Sequence, residues 1–241
     1  MKTPFGEASV TRGRYAGVDA LHLSRHGAGH VRLSNQVTHR ANIWALNELG
    51  ATAVIACTAC GAVNPSIELG SLIVFDDLHF ISNRLPDGSQ CTFFERQGDP
   101  QQGHWILHGG PFSPEVRTVL LRAAAQTGYG ARDGGAYGYV DGPRFNTPCE
   151  IAQLAQCGVT AVSQTAGPET VLCGELELPF ALIGFVTDYA NQVRPDEPSA
   201  AQTLTELMRR STKILGEVLA EALPRLASVA AVPAGSVLRL G

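Results

Sequence analysis

Apolar residues in this chain fall into two kinds of run that alternate: short stretches of β-branched and aromatic residues, and longer stripes at helical spacing. Ala53-Val54-Ile55-Ala56, Leu72 to Phe75, Gly134 to Val140, Ala161-Val162 and Phe180 to Val186 are predicted strands. The last is apolar almost throughout, as expected of a central strand. Helices are predicted over Thr38 to Leu49, Ser113 to Thr127, Pro148 to Gln156, Glu169 to Cys173 and Ser199 to Leu223. Gly50 stops the first of these, and Ser113 with Pro114 opens the second. Near the start, Ala8 to Val10 and Ala20 to Leu23 are expected to be strands flanking a turn at Tyr15 to Asp19. The Thr38 helix feeds the Ala53 strand, a β-α-β order that predicts a right-handed parallel crossover.

Ile81 to Gly110 reads as a long loop, either an excursion over a site or a subunit contact, with His104, Trp105 and His108 standing out in it. The tail after about residue 224 is expected to be loosely ordered. No linker interrupts the chain, so residues 1–241 read as one α/β domain.

The net charge of −4, with 18 Lys and Arg scattered along 241 residues, argues against broad nucleic-acid binding, which needs a clustered basic surface. No apolar run approaches the roughly 20 residues of a membrane-spanning helix. Cys57, Cys60, Cys91, Cys149, Cys157 and Cys173 lie in apolar or small-residue settings, and no signal peptide follows Met1. The expectation is a reduced, cytoplasmic protein. Cys57 and Cys60 are three apart, but no second Cys or His pair follows at zinc-finger spacing, so no metal site is expected.

Candidate chemistry gathers at strand ends. The Ala53 strand runs into Thr58-Ala59-Cys60-Gly61, where small side chains let a ligand approach the backbone and the Thr58 hydroxyl suits an anion. Leu21-His22-Leu23 leads into Ser24-Arg25-His26-Gly27, a cationic turn in which Arg25 offers a planar fork and His26 a further donor. Gly142-Pro143 presents Arg144, Phe145 and Asn146 ahead of a helix, an arrangement suited to a flat apolar ligand with a polar rim. Glu150 in that helix's first turn has a sufficient structural reason in the helix dipole. Asp188 lies at the end of the central strand, the position expected of a general acid with a raised pKa.

Those four strand ends, in that order and with Arg40-Ala41-Asn42-Ile43-Trp44-Ala45-Leu46 between the first two, resemble the trimeric purine nucleoside phosphorylase family. The likeness is greatest to its methylthioadenosine phosphorylase branch and covers about Thr3 to Leu223. It implies a nucleoside-phosphorylase-like fold, a mixed central β-sheet flanked by helices, in a homotrimer. It also implies phosphate as co-substrate, no cofactor, and cleavage of a purine nucleoside to free base and a ribose 1-phosphate. Carried across, Arg25, His26, Thr58 and Thr165 would hold phosphate. Phe145, Asn146 and Asp188 would hold the base, Asp188 as the catalytic acid, and Gln164 would lie under the ribose. Ala59, Cys60, Gly61 and Ala190 would border the substrate. Ala201 and Leu204 would line the 5′ pocket, and His104, Trp105 and His108 would reach it from a neighbouring subunit.

The chain departs from the family pattern in three places. These 241 residues do not contain the opening strand and Gly-Gly-Thr-Gly-like phosphate loop, Gln164 replaces a methionine, and Ala190 replaces the second aspartate of an Asp-x-Asp pair. Asp188 favours 6-amino purines, whereas the missing acceptor at Ala190 leaves a 6-oxopurine nucleoside such as inosine as the alternative. A nucleoside hydrolase and a non-catalytic small-molecule-binding homologue are the other readings.

Overall fold

A computed structural model describes residues 1–196 and 201–239, with Ala201 and Gln202 placed by backbone alone. Its strands in chain order are β1 (Lys2–Thr3), β2 (Gly6–Glu7), β3 (Thr11–Tyr15), β4 (Val18–His22), β5 (Val54–Ala62), β6 (Leu72–Val74) and β7 (Asp77–His79). There follow β8 (His104–Ile106), β9 (Arg132–Asp133), β10 (Ala136–Tyr139), β11 (Val159–Ser163), β12 (Phe180–Tyr189) and β13 (Ser236–Leu238). The helices are α1 (His39–Glu48), α2 (Pro114–Gln126), α3 (Pro148–Gln156), α4 (Ala166–Glu175) and α5 (Ala201–Leu226).

Seven strands form one mixed sheet in the order β7-β10-β11-β5-β12-β6-β9. Its axis is the parallel pair β5 and β12, in register from Val54 opposite Phe180 to Ala62 opposite Tyr189. β12 is buried along nearly its whole length because helices cover both of its faces. Phe180, Leu182 and Val186 pack with Ile43 and Leu46 of α1 and Leu172 of α4. Ala181, Ile183 and Phe185 point the other way, onto Val116 and Leu120 of α2 and Leu215 and Val218 of α5. Burying each such large side chain stabilises the fold by about 1.5–3 kcal/mol, so this double-sided strand anchors everything that its end presents.

Cys57 and Cys60 fall on the two opposite faces of β5, one packed in each core. Burial raises the Cys57 thiol to about 11, against the pull of Arg25, and raises Cys60 as well, which keeps both protonated and unreactive. Among the described residues no helix is long and apolar enough to cross a membrane.

Several sequence expectations are corrected. The opening hairpin is Thr11–Tyr15 with Val18–His22, turning at Ala16 and Gly17, and Ala8 to Val10 is not a strand. Ala16 and Gly17 both hold the left-handed backbone that a two-residue turn demands. No β-α-β crossover joins β4 directly to β5, because β4 pairs only with β3 in a separate two-stranded sheet. Within the tail, as far as the described residues reach, α5 runs past Pro224 to Leu226 and β13 pairs with β8 inside the long loop. Pro224 falls in the last turn, and the predicted helix start at Ser199 lies outside the described residues.

Candidate active site

The turn after β4 sends Arg25 across to α4. Its Nε and Nη2 donate to the two carboxylate oxygens of Glu169 at 2.5 and 2.8 Å, and its Nη1 donates to the Cys57 carbonyl at 2.7 Å. The pair is largely dry, the side chains being 17% and 6% exposed. Burial alone would lower the guanidinium pKa, but Glu169 outweighs it and holds it above its ordinary value. A guanidinium has five N–H groups, so two remain unclaimed, one on each Nη.

Beside it, the Thr58 hydroxyl lies 3.0 Å from the Ser163 hydroxyl, joining β5 to the end of β11; β5 runs on to Ala62, so Thr58 sits in mid-strand rather than at the strand end expected. The Tyr137 hydroxyl accepts the backbone N–H groups of Thr165 and Ala166 at 3.4 and 3.2 Å, at the start of α4. Thr165 is buried there, and its side chain makes no cap bond to its own helix. Arg25, Thr58 and Thr165 thus border one polar corner, while His26 differs from expectation. Its Nδ1 faces the Arg32 carbonyl at 2.9 Å, and burial lowers its pKa, so the neutral ring donates from Nδ1 and leaves Nε2 bare. Nε2 is therefore an acceptor unless the ring gains a proton.

Asp188 is placed by β12, outside the Arg25 corner. The register between β12 and β5 shifts between Val186 and Asp188, a bulge that sets Asp188 opposite Gly61. A Cβ on Gly61 would stand 2.9 Å from Asp188 Oδ2, so the glycine makes room for the carboxyl. Burial raises the Asp188 pKa, opposed by the Thr187 hydroxyl, which donates to Oδ1 at 2.7 Å. β12 also runs on to Tyr189, so Thr187 and Asp188 lie inside the strand rather than past its end.

The loop between β10 and α3 is organised by Glu150. Its carboxylate takes both Arg144 Nη groups at 2.9 and 2.7 Å, Asn146 Nδ2 at 3.1 Å and the Thr147 N–H at 2.8 Å, closing a capping box on α3. Asn191 Nδ2 donates to the Asn146 carbonyl at 3.3 Å, tying this loop to the end of β12. Phe145 is 73% exposed, so its ring stands free of the core. Gln164 is a strut between loops: Oε1 accepts from Ser34 Oγ at 2.7 Å and Nε2 donates to the Arg144 carbonyl at 2.9 Å. A side chain at Gly142 would collide with Gln164 Oε1 and Ser34 Oγ, one end of that strut.

Other candidates stand apart. Ala59 is half-buried beside Thr58; Cys60 is buried, and its Sγ faces the Phe185 carbonyl. Ala190 is buried, with its N–H on the Ala62 carbonyl. Leu204 is half-buried on α5, while the side chain of Ala201 lies outside the described residues. Trp105 is committed within its own chain: its Nε1 donates to the Ala234 carbonyl at 2.8 Å and its ring lies where a side chain on Gly174 would be. It is a loop anchor rather than an arm toward a neighbour. His104 and His108 are exposed.

The sequence reading assigned Glu169 only a helical position and passed over Tyr137, Ser163 and Ser34. Buried ionisable Glu169 inside the predicted Glu169 to Cys173 stripe was the one available signal, since a buried carboxylate needs a cation.

A cavity of about 1370 Å³ opens next to this corner, between β4 and β5 and between α1 and α5. Arg25, His26, Cys57 and Glu169 are in its wall, and it does not take in Asp188, Phe145 or Thr165. β5 pairs with β12 along its length and with β11 only at Gly61 and Ala62, so its edge from Ile55 to Ala59 meets no strand among the described residues.

A family model described as the phosphorylase superfamily matches residues 1–224. The 6-oxopurine nucleoside phosphorylase of Pyrococcus furiosus is 32% identical over 227 residues, 93% of this chain and 84% of that protein. The S-methyl-5′-thioadenosine phosphorylase of Pyrobaculum aerophilum is 34% identical over 227 residues, 93% of this chain and 78% of that one. Among solved structures, methylthioadenosine phosphorylase from Schistosoma mansoni in complex with adenine superposes with a TM-score of 0.83 at 27% identity, covering 95% of this chain and 85% of that one.

Proposed function

The chain belongs to the phosphorylase superfamily, among its purine nucleoside phosphorylases, and on that premise we propose that it cleaves 5′-methylthioadenosine with phosphate to adenine and 5-methylthioribose 1-phosphate. The observation that carries this reading is Asp188, a half-buried carboxyl with a raised pKa, set by a strand bulge into the space that Gly61 leaves. Desolvation disfavours the charged form of such a carboxyl and draws it toward carrying a proton, which it can deliver where negative charge develops.

In this mechanism a phosphate oxygen forms a bond to C1′ as the C1′–N9 bond breaks, and the electron pair leaves with the base. Asp188 gives its proton to N7, the base departs neutral, and Asp188 is left as a carboxylate. The sugar passes through an oxocarbenium-like state that the phosphate charge stabilises. The two unclaimed N–H groups of Arg25, the Thr58 hydroxyl and Thr165 at the start of α4 would hold that phosphate. Neutral His26 would accept the hydroxyl of monohydrogen phosphate at Nε2. Phe145 and Asn146 would close over the base once it is bound, with Gln164, Ala59, Cys60, Gly61 and Ala190 around the nucleoside and Ala201 and Leu204 toward its 5′ group.

Asp188 supports a 6-amino purine, since a carboxylic acid can donate to N7 and accept from the 6-amino group. A 6-oxopurine substrate is the second reading, supported by the relatives named for it and by Ala190. The enzyme would work as a single-domain protomer of a homotrimer in the cytoplasm, with exposed His104 and His108 available to a neighbour. The test is base release from methylthioadenosine, adenosine and inosine, with and without phosphate. Methylthioadenosine should be cleaved fastest and only with phosphate. Inosine preference would favour the second reading, phosphate-independent cleavage a hydrolase, and binding without cleavage a non-catalytic homologue.

A further inference from the structure

Glu169 has no part in the proposed chemistry, yet it is 5% exposed and sits in the first turn of α4, facing Arg25 rather than the space where an anion would lie. Its two oxygens take the Nε and Nη2 side of the guanidinium, and the Cys57 carbonyl takes one N–H of Nη1. Those three bonds fix the guanidinium plane and leave one N–H on each Nη for an incoming anion.

We propose that Glu169 is a positioning residue for phosphate: its two-point contact aims the unclaimed N–H pair of Arg25 at the anion, without touching substrate itself. The inference rests on the reading that Arg25 holds phosphate. Two effects of the carboxylate oppose each other. Its charge repels a phosphate beyond the guanidinium, and its geometry keeps a long, rotatable side chain from spending its donors elsewhere. The guanidinium would stand between the carboxylate and the anion, so its own positive charge offsets the repulsion, whereas nothing restores an orientation once lost. Orientation therefore wins. The other charged and titratable groups around the pair leave this balance alone: His39 Nδ1 lies 3.9 Å from Oε1 but burial keeps that ring neutral, and His26 is also pulled toward its neutral form.

The measurement is calorimetric titration of the full chain with inorganic phosphate, alongside phosphate and nucleoside KM, for the wild type, Glu169→Gln and Glu169→Asp. Glu169→Gln should raise the phosphate Kd and KM about tenfold, the loss of an oriented charge-assisted contact, with nucleoside KM and kcat at saturating phosphate nearly unchanged. Glu169→Asp, one methylene shorter with its charge kept, should lose less. A merely structural role would lower kcat and the melting temperature together and leave phosphate KM alone, which overturns the proposal, as does a Glu169→Gln protein that binds phosphate equally well or more tightly. Should Glu169→Gln fail to fold, an unchanged phosphate Kd in Glu169→Asp refutes it. Calorimetry needs no turnover, so a wild type that binds phosphate without cleaving any nucleoside sinks the phosphorylase reading while this one is still decided. A wild type that does not bind phosphate sinks both.

Discussion

The ion pair between Arg25 and Glu169 has a stability consequence that can be worked from its geometry. Replacing Arg25 with Met keeps most of the side-chain volume and removes all three donated bonds, those at 2.5 and 2.8 Å to Glu169 and that at 2.7 Å to the Cys57 carbonyl. Glu169, 6% exposed at its side chain, is then a buried carboxylate left with His39 Nδ1 at 3.9 Å, beyond hydrogen-bond distance. Removing one partner of a buried pair costs about 3–5 kcal/mol, a fifth or more of the roughly 5–15 kcal/mol that holds a typical domain together. Replacing both, in Arg25→Met with Glu169→Leu, removes the stranded charge along with the cation. The double variant should be more stable than the sum of the single losses implies, by on the order of 2 kcal/mol. Urea unfolding at pH 7.5 measures all four proteins of the cycle through their midpoints at a common slope. A loss below about 1 kcal/mol in Arg25→Met, or losses that add to within about 0.5 kcal/mol, would mean that solvent already reaches the pair, and the oriented guanidinium would go with it.

Three further outcomes follow from other sites. His39 is buried with its pKa pulled down from 6.5 to about 4, so the folded state binds fewer protons than the unfolded state between those values and stability is lost as pH falls through that window. At pH 5 the loss is about 2 kcal/mol relative to pH 7.5, and His39→Leu should lack that component when urea midpoints are compared at the two pH values. Asp188→Asn should lower turnover by about 10²–10⁴ with the phosphate Kd unchanged, and Gly61→Ala should act in the same direction because its Cβ displaces Oδ2; equal weakening of phosphate binding would void the division of labour. Hydrogen exchange should show the Ile55, Cys57 and Ala59 amides of β5 exchanging faster than those of Ala56 and Thr58, since the Val54 N–H bonds the Pro179 carbonyl and alternate residues point to the open edge. Uniform protection along β5 would contradict an open edge.

The strands and helices of the central layers were readable because each is long, apolar and closed by a local stop. Phe180 to Val186 announced itself by continuous hydrophobicity, and α3 by Thr147, Pro148 and Glu150, whose capping box the structure closes. What stayed hidden was pairing across sequence distance. Nothing local in Val18 to His22 says that its outer edge faces no strand, and nothing in Ser236 to Leu238 says that it pairs with His104 to Ile106, because register belongs to the partner as much as to the strand. The site shows the same divide. Arg25, Thr58 and Asp188 were visible as residue types at strand ends, whereas the Glu169 contact spans 144 residues and the bulge that aims Asp188 is a property of two strands together. His26 was read as a donor because residue type alone does not reveal which nitrogen a backbone carbonyl has claimed.

The two halves of the site differ in what holds them, and that difference orders how function should fail. Asp188 is fixed by main chain: its strand is paired with β5 through Tyr189 and with β6 at Ile183 to Phe185, its register is set by β5, and the room for its carboxyl comes from a missing side chain at Gly61. Such a placement survives most single substitutions because no one side chain maintains it. The anion corner is held by side chains, Arg25 on Glu169 and Thr58 on Ser163, beside a strand edge that carries no neighbour from Ile55 to Ala59. Rotamers respond to smaller energies than paired backbone does, since turning one side chain costs about 0.5–1.5 kcal/mol and opening a paired central strand approaches the global stability. Substitutions scattered around this site should therefore weaken phosphate recognition well before they disturb the acid, and a variant that keeps phosphate affinity while losing the acid's function should require a change at Asp188, Gly61 or the bulge between them.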